Sequence, residues 1–348
     1  MIPIVVSTGQ SKNPVKRELE EAVIAELGKQ PGYEVLVIPN LYDLSPKGES
    51  MSTLQALEGD LIIFSWLYQR SAHWILDRHG IHGKLGDVQL QAEDEEEDED
   101  DEVAASDTEE EADAEDIARV IDQRPVSDRT IYCLDFRISE KADDFVEEAQ
   151  RIASEITGQE LDQWIQGTPT EQQQARYEQP QNDTAMGPAT ETGNAVRIEE
   201  AAGRRWYPVI DFSRCTNCME CIDFCLFGVY GVDQSETILV EQPDNCRKGC
   251  PACSRVCPEN AIVFPQHKTP AIAGAAADNE GFKIDLSLLF GQPDAADVAA
   301  QERDEQLVLA GRQPVEETPI LAKRQVDTQA SNPDSLDELI DGLDSLDL

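Results

Sequence analysis

Basic residues are scarce in this sequence: 28 lysines and arginines stand against 70 aspartates and glutamates, a formal net charge of −42 over 348 residues. Such a field repels nucleic-acid phosphates and anionic membrane surfaces, which excludes both as partners and favours a protein with a basic docking surface. No stretch offers the roughly 18 consecutive apolar residues that a membrane span needs. The amino terminus, MIPIVVSTGQ, has no basic region ahead of its apolar run, so it reads as a first strand rather than an export signal. These absences predict a soluble, cytoplasmic protein. The two most legible nucleotide motifs, G-x-G-x-x-G and G-x-x-x-x-G-K-[ST], are also missing. Four histidines scattered along the chain make no metal constellation. His79 and His82 in RHGIHG come nearest to a pair, beside Gly80 and Gly83, which mark a turn.

Cysteine is equally sparse outside two places. Eight of the nine cysteines fall in CTNCMECIDFC, starting at Cys215, and CRKGCPACSRVC, starting at Cys246. The ninth, Cys133 in IYCLDF, reads as a small buried hydrophobe. Arg70 and Arg78 read as solvated surface, with an anion above a sheet as the alternative.

Composition divides the chain into four parts. Residues 1–160 alternate short β-rich runs (IPIVV, YEVLVIP, DLIIFSW, RTIYCLDF) with helical periods, which predicts an α/β domain with a mostly parallel sheet. Residues 93–116 interrupt it with 17 acidic and no basic side chains. Such a segment buries too little apolar surface to offset its ordering entropy, so it is expected to be a disordered insertion. Residues 161–200 have linker composition, 201–273 carry the cysteines, and 274–348 form an acidic, mostly disordered tail. Within that tail Leu336, Leu339, Ile340, Leu343 and Leu346 predict an amphipathic helix over 334–348, suited to docking on a partner.

The cysteine spacings are C-x2-C-x2-C-x3-C (Cys215, Cys218, Cys221, Cys225) and C-x3-C-x2-C-x3-C followed by Pro258 (Cys246, Cys250, Cys253, Cys257). A disulfide framework needs an oxidising compartment, which nothing here indicates. Zinc usually draws its ligands as two pairs from separate knuckles, a poorer match to three close thiolates and a fourth after x3, repeated. Three cysteines around one cubane with the fourth given to a neighbouring one is the arrangement of two-cluster ferredoxins.

At these residues the sequence resembles the bacterial-type ferredoxin family with two [4Fe-4S] clusters. The resemblance implies an α+β, βαββαβ module over 201–273, from YPVID (207–211) through VYGVD and TILVEQ to AIVF (261–264). It implies one cluster on Cys215, Cys218, Cys221 and Cys257, and a second on Cys246, Cys250, Cys253 and Cys225. Two departures stand out: Leu226 follows Cys225 where the family often has proline, and three residues separate Cys246 from Cys250.

The first domain resembles flavodoxin- and Rossmann-like folds more weakly. Ser7, Thr8, Gly9 and Ser11 follow the first strand, where backbone N–H groups and hydroxyls would cradle a phosphate, and Trp66 and Tyr68 follow the third. They define a candidate FMN site, against the plainer reading of an ordinary strand-to-helix turn.

Three functional expectations follow. The leading one is an iron–sulfur electron carrier or electron-transfer subunit serving a redox partner protein, with no catalytic residues of its own. The alternatives are an oxidoreductase with flavin or another cofactor fed by the clusters, and an interaction protein whose clusters are structural or sensory.

Overall fold

The computed structural model describes residues 2–90, 118–125, 127–166, 195–201, 203–275 and 295–315. The acidic insertion at 93–116 and the amphipathic helix expected at 334–348 lie outside the described residues.

Six strands form one sheet: β1 (Ile2–Ser7), β2 (Tyr33–Ile38), β3 (Leu61–Ser65), β4 (Lys84–Leu85), β5 (Thr130–Asp135) and β6 (Ala195–Arg197). Their order is β4-β5-β3-β1-β2-β6 and every neighbouring pair is parallel. Parallel strands are covered on both faces, which is why β1, β3 and β5 read as continuous apolar runs. Register separates the faces by row. Leu36, Val5, Ile63 and Cys133 lie side by side on one, and Val35, Ile4, Ile62 and Tyr132 on the other.

The second face is covered by α1 (Pro14–Gly28) and α4 (Ala142–Gln166). Asn13 starts α1 by accepting a hydrogen bond from the Val15 N–H at 3.1 Å, and Pro14 supplies the fixed first turn. Leu19, Val23, Ile24 and Leu27 follow at helical spacing and are buried. Phe145, Ala149, Ile152 and Ile156 do the same on α4. Each such buried valine, leucine, isoleucine or phenylalanine contributes about 2 kcal/mol.

The first face is covered differently. It carries α2 (Glu49–Ala56) and α3 (Gln69–Arg78), and beyond them the cysteine-bearing segment packs into the same core. That segment runs β7 (Val209–Ile210), α5 (Glu220–Phe224), β8 (Tyr230–Val232), β9 (Ile238–Val240), α6 (Ala252–Val256), β10 (Ile262–Val263) and α7 (Pro270–Ala273). β7 pairs with β10 and β8 with β9, both antiparallel. Residue 160 falls within α4, and β6, inside the stretch of linker composition, adds an edge strand to the sheet. The acidic tail also contains a helix, α8 (Ala295–Leu309), which packs on α6.

The contacts between sheet and cysteine segment are specific. Tyr42 and Tyr207 stack with ring centroids 4.3 Å apart. The Tyr42 hydroxyl donates to the Tyr207 carbonyl at 2.5 Å and accepts its N–H at 2.6 Å, while the Tyr207 hydroxyl donates to the Tyr42 carbonyl at 2.9 Å. Trp74 meets Phe212 edge-on at 5.8 Å. The Ser71 hydroxyl donates to the Ala273 carbonyl at 2.6 Å. Gly274 ends α7 at φ 98°, and a Cβ there would sit 2.3 Å from that hydroxyl, so close approach and left-handed backbone both require glycine.

Two arginines overturn the expectation of solvated surface. Arg70 reaches Asp211 at 2.5 Å and also donates to the Asn260 carbonyl, and Asp211 is 1% exposed. Arg78 lies over the Tyr207 ring at 4.8 Å and donates to the Val240 carbonyl. Both are committed to the cysteine segment rather than to water or an anion. Removing one partner of a buried pair leaves an uncompensated charge, so Arg70→Ala should cost about 3 kcal/mol. Denaturant unfolding of the anaerobic protein measures that loss, and an unchanged midpoint would refute the role given to the pair.

Candidate metal centres

The eight clustered cysteines sort into two groups. Cys215, Cys218, Cys221 and Cys257 line one small cavity, walled by Ile210, Ile238 and Ile262. Cys225, Cys246, Cys250 and Cys253 line another, walled by Phe224, Phe227 and Val229. The fourth cysteine of each motif therefore lines the cavity of the other motif. The cause is local: α5 carries Cys221 and is capped by Cys225, and α6 carries Cys253 and is capped by Cys257. A helical turn carries the last cysteine about 6 Å along the axis.

Backbone conformation shapes the first loop. Asn217 and Met219 take left-handed φ of 60° and 65°. Asn tolerates that region well, and here its side chain staples the loop to the β8–β9 hairpin. Its Nδ2 donates to the Glu236 carbonyl and its Oδ1 accepts the Ile238 N–H, both at 2.9 Å. In the second loop Gly249 supplies φ 89° just before Cys250, and the Trp206 indole donates to the Cys250 carbonyl at 3.2 Å. Sulfur atoms receive hydrogen bonds directly: the Ala261 N–H reaches Cys257 Sγ at 3.2 Å and the buried Tyr230 hydroxyl reaches Cys253 Sγ at 3.1 Å.

These surroundings disfavour bare thiolates. Burial pushes Cys221 up to about 12, and burial together with neighbouring sulfurs also raises Cys215, Cys246, Cys250, Cys253 and Cys257. A thiolate there needs a cation to compensate it, so metal loading would displace protons. Soft thiolates in apolar cavities fit iron–sulfur groups. Among the described residues no three His, Cys, Asp or Glu side chains converge to hold a single metal ion.

The residues of the flavin expectation fit less well. Ser7 Oγ donates to the Pro39 carbonyl at 3.3 Å, and Thr8 Oγ1 donates to the Ile38 carbonyl at 3.1 Å. The Gly9 N–H and the Trp66 indole both donate to Glu20 Oε1, at 2.7 and 2.6 Å. Ser11 Oγ accepts the Asn13 N–H, and Tyr68 lies under the Arg137 guanidinium, 3.6 Å from its ring centroid. The Ser7, Thr8, Gly9 and Trp66 donors are thus engaged within the chain, and a carboxylate sits among them. Pro14, first in α1, offers no N–H.

His79 and His82 also separate. His82 Nδ1 lies 2.6 Å from Asp77, which Arg124 shares at 2.9 Å, whereas His79 is buried with Nε2 unpartnered. Spacing analysis missed Tyr230, Trp206 and Asn217 because their partners lie 19 to 44 residues away. Cys133 is a buried core residue of β5 whose thiol burial pushes far up.

Comparison with known proteins follows from this geometry. No protein-family model matches the chain, and no solved structure does. An uncharacterised ferredoxin of Methanocaldococcus jannaschii is 48% identical over 66 residues, 19% of this chain and 44% of that protein. The chain therefore spans less than half of that relative's length. The pyruvate synthase subunit PorD of the same organism is 33% identical over 73 residues, 21% of this chain and 83% of the subunit. PorD of Methanothermobacter marburgensis is 32% identical over 78 residues, 22% of this chain and 89% of the subunit. Through about a fifth of its length, this chain belongs to the ferredoxin-type family of these PorD subunits. Among the described residues no helix is long and apolar enough to cross a membrane.

His79 gives a test of the buried boundary beside the first site. Burial, with Arg78 and Arg205 adding repulsion, lowers it to about 4 from 6.5. The unfolded chain then binds the extra proton first, so this stability is complete above pH 6.5 and is lost as pH falls toward 4. Between pH 7.5 and 5.5 the loss should be about 1 kcal/mol. His79→Gln should flatten that part of the pH dependence in urea unfolding, and an unchanged slope would count against a buried neutral ring.

Proposed function

We propose that this protein is a ferredoxin-type electron-transfer protein with two [4Fe-4S] clusters. One is held by Cys215, Cys218, Cys221 and Cys257, the other by Cys246, Cys250, Cys253 and Cys225. The observation that carries the reading is the sorting of the eight thiols into two four-cysteine cavities with the fourth residues exchanged. Relatives named ferredoxin and PorD support it.

When bound, such clusters supply exchange of single electrons. The chain's residues do the rest. Ile210, Ile238, Ile262, Phe224, Phe227 and Val229 keep water from the cavities. The Ala261 N–H and the Tyr230 hydroxyl offset negative charge on sulfur. Four thiolates leave each cluster without an open iron position, so a role in relay rather than substrate chemistry follows. The parallel domain is a platform that buries one side of the module. PorD relatives are named as subunits of pyruvate synthase, so the partner is a redox enzyme of that class, approached through a basic surface complementary to this acidic chain.

Anaerobic purification with iron and sulfide quantitation tests the assignment. Two [4Fe-4S] clusters give about eight irons per chain and an interacting paramagnetic signal on dithionite reduction. Cys253→Ala should remove about half of the iron. Iron content unaffected by that substitution would reject the ligand set.

A further inference from the structure

The segment after the module has one feature that electron relay alone does not explain. α8 reads AADVAAQERDEQLVL: four acids and one base, Arg303. The acids are what a solvated helix in this chain would carry. The base is not solvated, for Arg303 is 2% exposed. Ala299, also buried, seats the helix on Phe224, Cys250 and Ala252, and Arg255 pairs with Glu302 at 3.0 Å to hold it there.

Burying a guanidinium is costly unless its charge and its N–H groups find partners. Arg303 is only partly provided for. Its guanidinium lies 4.7 Å from the Phe224 ring centroid, and Nε donates to Asp304 Oδ1 at 3.0 Å. Nη2 comes within 3.0 Å of the same oxygen without hydrogen-bond geometry, and is buried with no hydrogen-bond partner. Arg303 lines the cavity of Cys225, Cys246, Cys250 and Cys253. An incompletely satisfied cation therefore stands in the wall of a site whose thiolates are acceptors. Arg247 lines the same cavity, and Tyr230 donates to Cys253 within it. The cavity of Cys215, Cys218, Cys221 and Cys257 has no arginine or lysine in its lining but has Glu220 and Glu259.

We propose that Arg303, carried in by α8, makes the Cys225/Cys246/Cys250/Cys253 site the higher-potential one, so that the first electron taken up resides there. The inference rests on the two-cluster reading. Adding an electron adds negative charge, which neighbouring cations and N–H donors stabilise and neighbouring carboxylates oppose. Arg303 is then a tuning residue, acting through the cluster's surroundings rather than as a ligand. Asp304, its partner, damps the effect.

The two residues give tests of opposite sign. Full-length holoprotein, Arg303→Gln and Asp304→Asn would be titrated electrochemically with electron paramagnetic resonance detection, with iron and sulfide counted in each sample. The wild type should show two one-electron steps. Arg303→Gln should lower the higher step and leave the lower one in place, whereas Asp304→Asn should raise the higher step. A helix that merely props the module would shift both variants the same way or not at all, and that result overturns the inference. So does a shift confined to the lower step. If Arg303→Gln fails to load its cluster, the sign for Asp304→Asn decides alone: a rise supports, and no change or a fall refutes. Full iron content with unmoved potentials defeats the role of Arg303 but leaves the two-cluster reading standing, whereas wild type without iron defeats both.

Discussion

The cysteine segment shares its core with the parallel sheet. Its strands are two or three residues long and α5 and α6 have five residues each, while isolated two-stranded pairs are marginal in water. It borrows the missing surface from one face of the parallel sheet. Val5, Ile63 and Cys133 back α2 and α3, and Tyr207, Val209, Ile210, Phe264 and Ile272 complete the same apolar cluster. The Tyr42–Tyr207 interlock and the Arg70–Asp211 pair fix the register of that contact, because each satisfies buried polar groups across it. Asp211 sits at the end of β7, four residues before Cys215, so holding it positions the first loop.

From that constraint the site follows. With β7 and β10 pinned against the sheet, the two short helices have fixed starting points, and one turn of each delivers its last cysteine to the other cavity. The walls then differ in charge. Acidic residues border one cavity, while Arg247 and Arg303 border the other. In a chain of net charge −42, a buried arginine in the wall of one site, with an exposed second at its rim, marks a local exception with an electrostatic consequence.

Sequence patterns revealed different parts of this arrangement unevenly. The cysteine bunches and the apolar runs of β1, β2, β3 and β5 were legible because ligand spacing and strand burial are local properties. β4 and β6, at two and three residues, carry too little pattern to register. Arg70 and Arg78 were misread because arginine usually seeks water, and their partners Asp211 and Val240 lie 141 and 162 residues further on. The acidic composition of the tail likewise concealed α8, whose buried side chains include Ala299, Arg303 and Leu307. The turn after β1 left a phosphate loop and an ordinary strand-to-helix turn both open, because the contacts that engage Ser7, Thr8 and Gly9, to Pro39, Ile38 and Glu20, come from elsewhere in the fold.

The central claim, that sheet and cysteine segment form one cooperative core, is tested most directly by native-state amide hydrogen exchange on the full-length holoprotein across a denaturant series. Amides of β3 and of β7 and β10 should converge on a common opening free energy and respond alike to denaturant. Exchange of β7 and β10 through a separate, lower-energy opening while β3 stays protected would show two independent units and contradict the account.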